Sequence, residues 1–183
     1  LRLLIAAGKM HLLRWIRYKR NAEILLKEEK DVIVTSLIDY YKLYTDFPGY
    51  IECMNIDDKF TRLTFLEDAI ARQIDSPRFV PYIQLHEFEG LLFSGMSGFE
   101  YFSDISHANM QELQILVNSF QNPELINEGV DTAPSKRLKR LVPGYRKTLH
   151  GPIMALELTL PSIAARCVRF SDWLQKLVEL MNK

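Results

Sequence analysis

Cysteine is almost missing from this 183-residue chain, and the two present, Cys53 and Cys167, lie far apart with no C-x-x-C spacing. That excludes a disulfide framework and a zinc-ligand pattern, and makes a reducing cytoplasm the expected compartment. Long apolar runs are missing too. The opening LRLLIAAGKMHLLRWIRYKR holds only a few apolar residues before Lys9, too few for a signal peptide or a membrane span, so no membrane role is expected. Neither charge is in excess: 23 basic side chains meet 23 acidic ones, which argues neither for nor against a nucleic-acid partner. There is no repeat and no low-complexity segment. The chain opens on Leu1 rather than Met, which suits a fragment or a processed product.

What is present is ordinary soluble usage, 48% apolar and 25% charged, at a length that suits one domain with a full core over residues 1–183. From Met10 to Glu29 apolar residues recur at Leu12, Trp15, Ile16, Ala22, Leu25 and Leu26, which predicts a helix with one buried stripe. The β-branched run from Val32 to Ile38 predicts a central strand ending at Asp39. A Pro48-Gly49 turn follows, then a helix over Leu63–Ile74, a break at Ser76-Pro77, and a second strand over Phe79–Leu85. This β-α-β order implies parallel strands and a right-handed crossover, hence an α/β protein. Beyond Phe93 the pattern is helical, at Asn109–Phe120, Pro134–Val142, Ile153–Leu158 and Asp172–Met181. The expected layout is a sheet-containing part over about 1–93 and a helical part over about 94–183.

The second strand runs into His86, Glu87 and Glu89, within RFVPYIQLHEFEGLLF, and the first ends on Asp39. Open α/β sheets bind their ligands above the carboxyl ends of strands, where these acidic groups are expected to lie. Hard divalent cations such as Mg²⁺ take oxygen ligands and need only one or two from protein, so Asp39, Glu87 and Glu89 are the candidate metal-site and catalytic residues, with Asp46 in reserve. If Gly90-Leu91-Leu92-Phe93 opens a helix, Glu87 and Glu89 diverge by roughly 200°, and only one of them faces a shared ion. The plain alternative is that acidic residues in a first helical turn complement free N–H groups and the helix dipole. Asp39, likewise, can simply close a strand through side-chain to backbone bonds.

A third cluster, TAPSKRLKRLVPGYRK, gathers Lys136, Arg137, Lys139 and Arg140, then Tyr145, Arg146 and Lys147. Basic groups around an aromatic suit a phosphate backbone and a stacked base. The alternative is a solvated helix face, with Leu138 and Leu141 turned to the core, Ser135 capping and Pro134 fixing the start.

Read in order, IDYYKLYTDFPG, RFVPYIQLHEFEGLLF, NPELIN, APSKRL, VPGYRK and RCVRFSDWLQKL resemble the Toprim-like domain-of-unknown-function family 4276, over about Val32–Leu177. The resemblance implies a Toprim-like fold, a small, mostly parallel sheet between helices that holds Mg²⁺, or Mn²⁺, for cutting nucleic-acid phosphodiesters. Asp39 matches the end of the aspartate strand, Glu87 and Glu89 the acidic motif after the next strand, and Lys136 and Arg137 the APSKR element. It also implies a bacterial setting beside ATPases of anti-phage defence, and so an effector nuclease with nucleic acid and a neighbouring ATPase as partners. The family's opening strand carries an E-G-x-T-E-like motif that this sequence lacks, so the chain as given is expected to be N-terminally incomplete and a poor nuclease. The competing expectation is a non-catalytic interaction module partnering an ATPase, with the acidic motif structural.

Overall fold

The computed structural model describes residues 2–5, 14–28, 31–41, 43–127 and 129–182. In chain order it comprises β1 (Arg2–Ile5), α1 (Trp15–Glu28), β2 (Val34–Asp39), α2 (Tyr50–Cys53), α3 (Lys59–Ile74), β3 (Phe79–Gln84) and a 3-10 segment (Phe88–Ser94). The remainder is helical: α4 (Ser97–Glu100), α5 (His107–Ser119), α6 (Pro134–Leu141), α7 (Lys147–Leu158), α8 (Leu160–Arg166) and α9 (Val168–Met181), with 3-10 turns at Pro123–Leu125 and Val130–Thr132. The strands are all parallel, in the order β1-β2-β3. The α/β class and the helical C-terminal half agree with the sequence reading.

Two differences stand out. A strand precedes β2, because Arg2–Ile5 pairs with Val34–Leu37; four residues, three of them apolar, are too few for periodicity to separate strand from helix. It carries no carboxylate, so it is not the glutamate strand that the resemblance asks for. The predicted first helix appears as Trp15–Glu28, while Met10–Leu13 and Glu29 lie outside the described residues.

The chain divides into two compact units, Leu1–Leu85 with Gln175–Lys183, and His86–Leu174. In the first, one face of α1 (Tyr18, Ala22, Leu26) and one of α3 (Leu63, Leu66, Ile70, Ile74) share a core with Val34, Ile38, Phe79 and Ile83 from the strands. Asp46 accepts a hydrogen bond from the Trp15 backbone N–H at 3.3 Å, so this reserve metal candidate closes the start of α1. Gly49 takes a positive φ of 77°, and a Cβ there would sit 2.9 Å from that of Ala69, which explains why the Pro48-Gly49 turn needs glycine.

The strand β3 is an edge among the described residues, and its outward N–H groups are dealt with one by one. Phe79 N–H bonds to the Ser76 carbonyl at 3.1 Å, Pro81 has no N–H, and Ile83 N–H bonds to the Glu67 carboxylate of α3 at 2.8 Å. Proline in this strand is therefore tolerated because its nitrogen faces away from β2. On β2, the fully buried Ser36 hydroxyl meets the Tyr18 hydroxyl at 2.6 Å.

This last bond gives a stability test. Tyr18→Phe and Ser36→Ala should each cost about 1–3 kcal/mol in urea unfolding, because each leaves one hydroxyl buried without its partner. The double variant should lose clearly less than the sum of the two; strict additivity would show that the hydroxyls do not depend on each other.

Candidate functional site

After Gln84 the backbone leaves the sheet, and Glu87 is held extended (φ −130°, ψ 151°) immediately before the 3-10 segment in which Glu89 is the second residue. The two carboxylates serve different partners, although Glu87 is extended and not on the helix whose phase was expected to separate them. Glu87 reaches α6: one oxygen accepts the Ser135 backbone N–H and the other the Ser135 hydroxyl, both at 3.0 Å. Ser135 was expected to cap this helix itself. Instead α6 begins at Pro134 after Ala133, which has no side chain able to cap, and Glu87 supplies the acceptor from elsewhere in the sequence.

Glu89 is 0% exposed. The Lys147 ammonium, on the first residue of α7, lies 2.7 Å from its Oε2, while Oε1 accepts no hydrogen bond among the described residues. Burial pushes the Glu89 carboxyl above its ordinary value, Lys147 pulls it back, and the charge of Glu87 adds to the rise. Tyr145, two residues before Lys147, is also buried, and its hydroxyl is unpartnered among the described residues. Burial, then Glu89 and Glu87, push this phenol up, so it stands within electrostatic reach of both carboxylates. It is packed inside and is not an exposed ring for stacking a base.

At the two glycines nearby a Cβ would meet only ordinary contacts. A Cβ at Gly90 would lie 3.4 Å from the Pro123 carbonyl oxygen and 3.8 Å from Pro134 Cγ, and one at Gly151 would lie 3.6 Å from the Tyr145 hydroxyl. Segments HEFEG, APSKR and VPGYRK thus converge on one polar cluster inside the second unit.

The basic face of α6 is largely engaged. Lys136 pairs with Asp131 at 3.0 Å, Arg137 Nε donates to the Thr132 carbonyl at 2.8 Å, and Arg140 grips the Glu112 carboxylate with both terminal nitrogens. Lys139 is exposed. Asp39 belongs to the first unit, half-buried at the carboxyl end of β2 opposite Gln84.

The family model described as a domain of unknown function (DUF4276) matches residues 2–178. The chain belongs to this family. Neither the curated proteins nor the solved structures yield a match. In this DUF4276 chain the fit of a hard cation can be judged from the carboxylates themselves. Glu89 has a buried oxygen without a donor, while its other oxygen faces the Lys147 ammonium; both oxygens of Glu87 already accept from Ser135. Among the described residues no group of three or more His, Cys, Asp and Glu is placed to hold a metal ion.

Lys147, Ser135 and Tyr145 are the members of the cluster that sequence reasoning did not place with the glutamates. The sequence signal was their shared basic segment, which shows charge and not the partner that the charge meets.

A raised carboxyl fixes the sign of a pH effect. The folded state holds the Glu89 proton more tightly than the unfolded state, so the stabilisation is complete below the ordinary 4.5 and is lost as pH rises through the higher folded value. Glu89→Gln should flatten that part of the stability-versus-pH curve, measured by urea unfolding from pH 4 upward. A curve with the same slope in both proteins would show that Glu89 is not its source. Glu87→Ala should cost about 1 kcal/mol, the usual loss of a helix-start acceptor.

Proposed function

We propose that this chain is a Toprim-like, metal-dependent nuclease or nuclease-like effector acting on nucleic-acid phosphodiesters, with Glu89 as its principal metal-side carboxylate. The observation that carries this reading is a wholly buried carboxylate with one oxygen lacking any donor among the described residues and the other facing a cation. Burying a charge in this manner is unfavourable for stability alone, and such groups concentrate at functional sites. A Mg²⁺ or Mn²⁺ ion would supply water activation and neutralisation of phosphate charge. The chain's own residues have separable parts: Glu87 fixes the start of α6, and Lys147 balances Glu89. Asp39 is the acidic strand end of the first unit. Lys136, Lys139 and Arg140, exposed on α6 with Arg137 beside them, are the proposed phosphate contacts. A cytoplasmic role in anti-phage defence beside an ATPase completes the reading.

A second reading, a non-catalytic module that binds an ATPase, is favoured by a specific observation: Lys136, Arg137 and Arg140 already have partners within the chain.

The reading is tested by Mn²⁺ titration followed by electron paramagnetic resonance. Glu89→Gln should weaken binding about tenfold or more, and Glu87→Gln should weaken it less. Equal affinity in native and Glu89→Gln protein would remove Glu89 from the site. Absence of cleavage of DNA and RNA with metal, together with co-purification of an ATPase, would favour the second reading.

A further inference from the structure

We propose that the outward face of α1 is a docking surface for duplex DNA, with Arg17 and Arg20 as its phosphate contacts and Lys27 at its far end. This rests on the nucleic-acid reading above and gives that reading a substrate class and a surface. Arg17, Arg20 and Lys27 are exposed, and their side chains have no partner among the described residues, whereas Lys136, Arg137 and Arg140 of α6 are engaged. The neighbouring cations are held: Arg14 lies over the Tyr44 ring at 4.3 Å and 3.9 Å from Asp46, and Lys19 pairs with Glu23 at 3.9 Å.

Helix stability does not explain this placement. The first turn of α1 has no acidic residue and contains Arg17, at the end of the helix dipole that repels cations. Lys27, in the last turn, is where the dipole favours a cation, so Arg17 and Arg20 carry the inference. At about 100° per residue, Ile16, Lys27, Arg20, Ile24 and Arg17 fall within an arc of roughly 100°, and Arg17 to Lys27 spans about 15 Å. Near the end of α1 the Leu26 carbonyl accepts from Arg78, just before β3, at 2.8 Å, while at its start the Trp15 N–H meets Asp46, beyond the end of β2. The two arginines therefore lie towards the carboxyl end of the sheet, where Asp39 closes β2.

The chemistry of the face selects its occupant. Its isoleucines, Ile16 at 78% and Ile24 at 40% exposure, are interleaved with cations and form no apolar centre of the kind a protein interface buries. The helix's apolar stripe, Tyr18, Ala22 and Leu26, is buried, which leaves none to sink into a membrane surface. The arc carries no aromatic ring for stacking a single strand, since Trp15 and Tyr18 stack together against Phe47. A duplex asks for backbone cations, and the major groove of DNA, unlike that of duplex RNA, admits a helix.

Fluorescence anisotropy of a short labelled DNA duplex, without metal and over a series of salt concentrations, tests the surface. Arg17→Gln and Arg20→Gln should each weaken binding about 5- to 10-fold at roughly 0.1 M salt, and each should lower the slope of log affinity against log salt by about 0.9. Ile16→Lys, which adds a charge to the arc, should tighten binding and steepen that slope. Arg72→Gln, which removes an exposed cation of α3 in the same unit, should change neither. Native affinity and slope in both arginine variants overturn the proposal, and so does an equal loss in Arg72→Gln, which marks a response to overall charge. Tighter binding of a single strand or of duplex RNA overturns duplex DNA as the occupant. Binding only to vesicles of phosphatidylcholine and phosphatidylserine, abolished in the arginine variants, overturns it in favour of a membrane. Duplex binding through Arg17 and Arg20 with no cleavage in Mg²⁺ or Mn²⁺ upholds the surface and defeats the nuclease reading; cleavage with native affinity in both arginine variants defeats the surface alone.

Discussion

A carboxylate without exposed surface constrains everything around it, and Glu89 is that group in the second unit. Left alone it would take up a proton; beside Lys147 it keeps a charge partner at 2.7 Å. Satisfying that distance fixes the 3-10 segment against the start of α7, and with it the turn at Pro143–Tyr145 that leads into the helix. Tyr145, two residues before Lys147, is buried.

Several helix termini in this unit are closed by side chains from distant segments, beside the local caps at Ser106 and Asn122. Glu87 serves α6, and the buried Glu124 of NPELIN accepts from the Arg169 and Phe170 backbone N–H groups at 2.9 and 3.2 Å, in the first turn of α9. At the opposite polarity, Arg166 donates to the Val117 and Phe120 carbonyls where α5 ends. Each such bond satisfies backbone groups that a helix cannot satisfy for itself, and each also dictates which segment lies beside which. The acidic and basic residues that make the sequence look like a ligand site therefore do structural work as well, and Glu89 is the member for which that work leaves an oxygen over.

Much of this was legible beforehand. Asp39, at the end of Val34–Asp39, could be placed because a β-branched run is a local property. The 3-10 segment after Glu87 followed from Gly90-Leu91-Leu92-Phe93 for the same reason. Ser135 could not be paired with Glu87, nor Lys147 with Glu89, because those partners are brought together by folding and no local pattern records it. The helix α8 was missed because Thr159, at a φ of 65°, breaks the helical run and Pro161 restarts it, so the sequence shows only an ending at Leu158. The basic run of α6 was legible as charge, but its carboxylate and carbonyl partners, Asp131, Thr132 and Glu112, were not.

The treatment of β3 decides where this sheet can grow. With proline at position 81 and the Ile83 N–H bound by Glu67, a strand arriving on that side finds no donor at two successive outward positions. Among the described residues, the outer side of β3 therefore offers little to a strand that would extend the sheet there.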